Sequence, residues 1–447
     1  MKLLTEEPKK LYFNYLLSAM GSTLITNVYT TVDTICIGRY GGPDAIAAVS
    51  CLNPFFPIMT ALGLLMGLGG AIMMNNKRGA GDFKASNEFF TLATFLTAIF
   101  SAIIFTGFML FRKELLIMFG AEGEILDFAM QYTLPITMIS PTFTMCACFS
   151  IFVRNDGEIV LPTVATITGG IINTIGDFLF VFDYGLGLGV FGAGLATAIG
   201  QVVAFSLICS YFLRKKCKLR FTKIKNIGNK LGAIVALGFS SFIIDISFGI
   251  CIVVYNREIM ANFTADHLAV YSTASTVLLT SYCLFYACGS ALQPIVSANF
   301  GANNTGRVKK TLGIAAITTI TLSVVLTILI ELFPAFFLKL FMDTNEQIMQ
   351  IGPGIIRKFA LGIIPAALAI IFSYYLQSVI EKVKSQTVSL LRGLLLPILF
   401  VLTLAQIFGS EMIWYSIPIA EFITFLIALI LTLRQTKRMK NEHVGNI

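Results

Sequence analysis

The sequence predicts an all-α integral membrane protein: twelve transmembrane helices in two six-helix lobes related by a pseudo-two-fold axis along the membrane normal. Three observations predict it. First, of 447 residues 56% are hydrophobic and only 13% charged, where a soluble domain carries about 25% charged residues, so there are too few charges to cover a water-soluble particle of this size. Second, twelve apolar stretches are each about as long as a bilayer-crossing helix or longer. Third, GAGDFKA at 79–85 returns as GANNTGR at 301–307, after the matching helix of the second half and 222 residues further on. Mean hydropathy is +0.82.

In chain order, MKLLTEEPKK is a poor secretory signal. It carries Glu6 and Glu7, and the apolar run behind it is too long for a signal core and lacks a small-residue cleavage pattern. The run at 11–37 is read as a retained first span. Spans at about 45–75, 89–111, 125–153, 159–182 and 188–213 complete a first lobe, residues 1–213. The most basic stretch, RKKCKLRFTKIKNIGNK at 214–230, is the linker. Spans at about 231–256, 267–298, 311–333, 359–377, 386–408 and 412–433 and a short tail make the second lobe, residues 231–447. Both lobes hold an even number of helices, so they share one orientation, as parallel repeats do.

Lysine and arginine decide which side is which. Twenty-four of the 32 fall on the termini and the loops after even-numbered helices, seven on the opposite loops, and Arg392 inside a span. Positive residues stay on the cytoplasmic side, so both termini and the linker are expected there, in a multi-pass protein of the plasma (inner) membrane. The net charge of +8 is therefore a topology signal; no soluble basic face exists for a nucleic acid. Eight of nine cysteines lie in apolar segments and Cys217 in the linker, and CAC at 146–148 has no partner cluster. The cysteines are read as small apolar residues. His267 and His443 sit at a helix edge and in the tail. With no nucleophile, metal-ligand cluster or room for a soluble catalytic domain, the chain is not expected to be an enzyme, and no cofactor is expected.

The informative residues are charges where hydrocarbon is expected. From Leu11 to Val32 there is no Asp, Glu, Lys or Arg, and then comes Asp33. A second acid, Asp177, lies in GGIINTIGDFLFVF at 169–182, with Asn173 four residues before it on the same helix face. Ionisable groups inside a membrane are costly and mark ion or substrate pathways. Two carboxylates close together in low dielectric do not both ionise cheaply, and one proton or one small cation relieves them. The repeat offset places Tyr255 and Leu399 at the equivalent positions of the second lobe, so the acid pair is not duplicated. There Asp245 either meets a cationic substrate or pairs with Arg392, while Glu331 and Glu421 are read as reaching an interface. Phe149, Phe152, Tyr282 and Phe285 are candidates to line a cavity for flat cations by cation–π contact.

VDTICIGRYGG in the first span, RNDGEIVLPTVATITGGIINTIGDFLFVF at 154–182, GVFGAGLATAIGQ at 189–201 and QPIVSANFGANN at 293–304 resemble, in order and across nearly the whole chain, the multidrug and toxic compound extrusion (MATE) family, in its bacterial, MepA-like branch. The resemblance implies alternating-access export of small organic, cationic, aromatic substrates by a lipid-embedded monomer, in exchange for protons or sodium. It carries the first-lobe ion site onto Asp33, Asn173 and Asp177, and onto Thr197 in the LAT of the sixth helix. Two departures stand out. Many relatives carry a proline in the first helix about four turns before the aspartate, and here none occurs between 11 and 37, so that Gly21–Ser22 is the place that could permit a bend. Asp245 lies about one turn from the glutamate that some members carry in the seventh helix.

Three other classes compete with this reading. The major facilitator superfamily also has twelve spans, but NNKRGAGDFKAS lacks its acidic-plus-arginine signature. A flippase of lipid-linked or polysaccharide precursors, from the same wider superfamily, is the alternative. It needs a strongly basic cavity, and only Arg392 lies well inside a span. A membrane-embedded enzyme needs a catalytic cluster at membrane depth.

Overall fold

A computed structural model describes residues 2–51, 55–342 and 345–444; the side chains of Asn27, Pro43, Ser50, Asp245 and 440–444 lie outside the described set. Its elements are α1 (Lys2–Thr5), α2 (Pro8–Cys51), α3 (Phe55–Gly79), α4 (Phe83–Met118), α5 (Gly123–Met138), α6 (Ser140–Asn155), α7 (Val160–Phe180), α8 (Gly189–Cys209), α9 (Ile227–Asn262), α10 (Ala265–Gly301), α11 (Thr305–Leu332), α12 (Pro334–Phe341), α13 (Glu346–Ala360), α14 (Ile363–Ser378), α15 (Lys382–Leu390), α16 (Leu396–Phe408) and α17 (Ser416–Val444). Among the described residues, ten helical stretches and one bent pair are long and apolar enough to cross a membrane. The 44-residue α2 supplies the remaining span of a twelve-helix, multi-pass membrane protein.

The α2 helix is less apolar because it is rich in hydroxyls, and these are satisfied internally. Thr23, Thr26, Thr30 and Thr34 each donate to the carbonyl four residues earlier, at 2.9–3.1 Å, so they leave no unmet donor facing lipid. The break expected between the first two spans narrows to Gly42, whose φ of 63° and ψ of −154° favour glycine. No residue at Gly21–Ser22 departs from helical geometry. The fourth span is bent by 55° between α5 and α6, where Pro141 begins α6 without an amide donor. The tenth span begins at Glu346 rather than 359, because the amphipathic α13 carries Arg357 and Lys358 and hides its length from a hydropathy reading. The eleventh contains a π-helical segment, Leu391–Leu395.

Two compact units emerge. One is Leu17–Arg78 with Asp82–Gly238; the other is Phe239–Ile447 with Met1–Leu16 and Gly79–Gly81. In the first, the start of α9 lies against α3: a Cβ at Gly238 would stand 2.0 Å from the Leu65 carbonyl oxygen, and one at Gly69 2.0 Å from that of Ile234. Only glycine allows that approach. The linker is strapped to the same unit by two buried acids. Asp156 pairs with Arg78 and accepts from Tyr211 Oη (2.6 Å) and the Lys218 amide (2.8 Å). Glu88 accepts from the Lys225 amide and pairs with Lys230. In the second unit, Tyr12 donates to the Cys288 carbonyl (3.4 Å) and Asn299 Nδ2 to that of Leu3 (2.9 Å).

The repeated motif has a shared geometry. Asp82 (φ −87°, ψ 76°) caps α4 by accepting from the Ala85 amide, and Asn304 (φ −87°, ψ 71°) caps α11 by accepting from that of Arg307. Each follows a residue in the left-handed region, Gly81 and Asn303. Asp and Asn are good N-caps for the same reason, a short side-chain acceptor.

Candidate functional site

The α7 and α8 helices meet through glycine. A Cβ at Gly169 would lie 2.7 Å from the Gly200 carbonyl oxygen, one at Gly200 2.5 Å from that of Gly169, and one at Gly176 2.7 Å from Ala196 Cβ. This small-residue seam brings Asn173 beside Thr197, and Asn173 Nδ2 donates to Thr197 Oγ1 at 3.1 Å. One turn further along α7 stands Asp177, fully buried, within hydrogen-bonding reach of the Asp33 carboxyl on α2. Asp33, 7% exposed, accepts from Tyr132 Oη of α5 at 2.8 Å.

The structure therefore brings Asp33, Asn173, Asp177 and Thr197 into one cluster, as the sequence suggests, and adds Tyr132. Four buried oxygens there meet no donor among the described residues: Asp33 Oδ1, Asn173 Oδ1 and both oxygens of Asp177. Acceptors facing acceptors in a buried site are a standing cost. One proton on the acid pair converts an acceptor into a donor; one small hard cation satisfies the same oxygens. The cluster opens on a cavity of about 560 Å³ within the first unit, lined by Asp33, Tyr132, Asn173 and Thr197 and by the aromatic rings of Tyr29, Phe56 and Phe143.

Other candidates fall elsewhere. Cavity-lining residues on α6 are Phe143, Cys146, Ala147 and Ser150, one face at helical spacing. Phe149 and Phe152 are on the other face. Phe149 stacks on Phe205 with centroids 6.2 Å apart, and Phe152 packs edge-on against Phe90 at 5.0 Å. Both are core, which corrects their reading as cavity residues. Phe285 is likewise fully buried in the second unit's core. Arg392 pairs with Glu421 of α17 at 2.9 Å; the Asp245 side chain, and with it both readings of that residue, lies outside the described residues. Glu421, 5% exposed, is correspondingly no interface residue. Tyr282 stands against the Arg392 guanidinium, ring centroid 4.7 Å from Cζ, and donates to Glu421 at 3.1 Å. Glu331 is near Arg357, 3.8 Å away on a partly exposed edge.

A twelve-helix membrane bundle whose one unit encloses an acid pair beside an aromatic-walled cavity has the make-up of a membrane transporter. The chain belongs to the MatE family: the family model described as MatE matches residues 19–179 and 258–403. Among curated relatives it is 23% identical over 415 residues to a protein of Staphylococcus saprophyticus named multidrug export protein MepA, covering 92% of this chain and 90% of that one. Among solved structures it matches the outward-facing conformation of a multidrug resistance MATE family transporter of the MOP superfamily, with TM-score 0.90, 20% identity and 98% of both chains covered. It also matches a MOP superfamily transporter from Pyrococcus furiosus, with TM-score 0.89, 19% identity and 98% of both chains covered.

Proposed function

We propose that the protein is a multidrug exporter of the plasma membrane that moves small organic cations with aromatic character in exchange for protons, by alternating access and with both termini cytoplasmic. The observation that carries the reading is the Asp33–Asp177 pair, buried within reach of each other beside a cavity walled by Tyr29, Phe56 and Phe143. Aromatic faces attract organic cations. A buried pair of acids favours holding one proton between them. Loss of that proton takes the pair from one negative charge to two, and its return restores the single charge, so charge on the pair and occupancy of the cavity are linked.

Sodium would use the same oxygens. Proton coupling is favoured because the site has only two carboxylates and Tyr132 turns a donor, not an acceptor, toward Asp33, whereas hard cations seek a shell of oxygen ligands. Asparagine at 173 suits either protonation state, since its amide both donates and accepts. Asp33→Asn and Asp177→Asn should each abolish gradient-driven efflux of a cationic dye from everted vesicles while leaving dye binding to the purified protein intact. Pumping at the wild-type rate by both variants would remove the assignment.

A further inference from the structure

The linker is held to the first unit more firmly than a connection requires. Alternate backbone amides face inward: Lys218 donates to Asp156 Oδ2 at 2.8 Å, Arg220 to Asn87 Oδ1 at 3.3 Å and Thr222 to Thr91 Oγ1 at 3.1 Å. This is the two-residue period of an extended chain. The Lys225 amide closes the row on Glu88 Oε2 at 3.1 Å. Cys217 and Leu219 are buried beneath it. Four side chains, three on α4 and one just after α6, thus fix a loop backbone, where loops by default are mobile.

The face this clamp turns outward is basic and apolar together. Residues 214–230 hold eight Lys and Arg and no Asp or Glu. Lys230 pairs with Glu88, and Asp156 is taken by Arg78. The other seven cations are exposed, and none is in an ion pair among the described residues. Among them Phe221 rests on buried Phe90, ring centroids 5.2 Å apart, yet stays 66% exposed. Leu213, at the edge, is 89% exposed. The strap joins the ends of two spans, Gly189–Leu213 and Ile227–Asn262, so it lies where lipid headgroups meet water. Phosphates there meet cations, and the acyl boundary takes apolar side chains. A soluble acidic partner would use the cations alone and leave Leu213 uncovered at the end of its span.

We propose that the strap, residues 214–225, is a binding site for the headgroups of anionic phospholipids in the leaflet it faces. The clamp is what makes it a site. It holds the backbone that carries the cations in place before a lipid arrives, so less conformational freedom is lost on binding. Each lysine or arginine near the anionic surface adds attraction, and salt screens it.

Thermal melting of the full-length protein in dodecyl maltoside is followed as phosphatidylglycerol or phosphatidylcholine is added. Binding to the folded state raises the melting temperature, and phosphatidylglycerol should do so where phosphatidylcholine does not. Lys215→Gln/Lys216→Gln/Lys218→Gln/Lys223→Gln removes four exposed side-chain charges that the clamp does not use. Without lipid it should melt as wild type, and the phosphatidylglycerol needed for half the shift should rise about a hundredfold or more. Lys215→Gln/Lys216→Gln alone, which covers the case in which the fourfold variant does not fold, should cost about tenfold. Lys9→Gln/Lys10→Gln/Lys309→Gln/Lys310→Gln takes as many charges from the second unit and should keep the wild-type shift. Equal effects of the two lipids, a wild-type shift in a folded strap variant, or the same loss in the second-unit variant overturns the inference. Glycerophosphoglycerol, the headgroup without acyl chains, should leave melting unchanged. Stabilisation by it equal to that by the lipid would assign the strap to a free phosphodiester and overturn the lipid site.

Discussion

Tyr132 is the residue that the structure adds to the acid cluster. Its hydroxyl is the donor that Asp33 meets, and hydrogen bonds to charged groups are worth about 1.5–3 kcal/mol. Tyr132→Phe should therefore slow gradient-driven efflux by about tenfold or more while the protein binds dye and melts as wild type; unchanged efflux would make the contact incidental. Nothing in the sequence marks Tyr132, one of 14 tyrosines, since its importance comes from α5 packing beside α2. Asp33, Asn173 and Asp177 were legible because a charge or amide in an apolar run has to be explained by itself. The partner of Arg392 was not. Several acids lie within spans of the second half, and only the packing of α17 against the π segment selects Glu421. Phe149 and Phe152 were misplaced because a uniformly apolar helix does not announce which face meets a cavity.

The seam between α7 and α8 sets the site at the scale of elements. Gly169→Val places a branched side chain where even a Cβ is 2.7 Å from the Gly200 carbonyl. Overpacking of this kind costs about 1–3 kcal/mol, so the variant should melt lower and lose dye efflux; Ile171→Val, half-exposed on the same helix, should do neither. Identical melting of Gly169→Val and wild type would mean the helices are not held by this seam. Most helices were readable from hydropathy because a bilayer demands about 20 apolar residues wherever a helix crosses. The exceptions have local causes. The hydroxyl ladder of α2 lowers its hydropathy without weakening its backbone, Gly42 bends what looked like a loop, and the basic residues of α13 conceal the first half of the tenth span.

Over the whole molecule, the two halves share a motif, a capping geometry and a helix count, yet only the first carries the acid pair. At the equivalent positions Tyr255 is buried and bonded to Ser416 Oγ at 2.8 Å, and Leu399 is half exposed. Duplication was visible in GAGDFKA and GANNTGR; the divergence of function was visible only through the offset of the acids. The distribution of lysine and arginine predicts a cytoplasmic face for the linker. Arg220→Cys in the exposed strap should label with an impermeant maleimide only after permeabilisation of whole cells, and labelling of intact cells would reverse the topology. Native Cys217, 3% exposed, should resist even then, because burial pushes its thiol up and the thiolate is the reactive form.

Protons moving through the Asp33–Asp177 pair are proposed to drive export. The direct measurement is dye transport in proteoliposomes with a pH gradient imposed at equal sodium on both sides, set beside a sodium gradient at equal pH. Proton coupling through this pair predicts uphill dye movement with the pH gradient, none with the sodium gradient, and none with either in Asp33→Asn. Transport driven by sodium alone would contradict proton coupling.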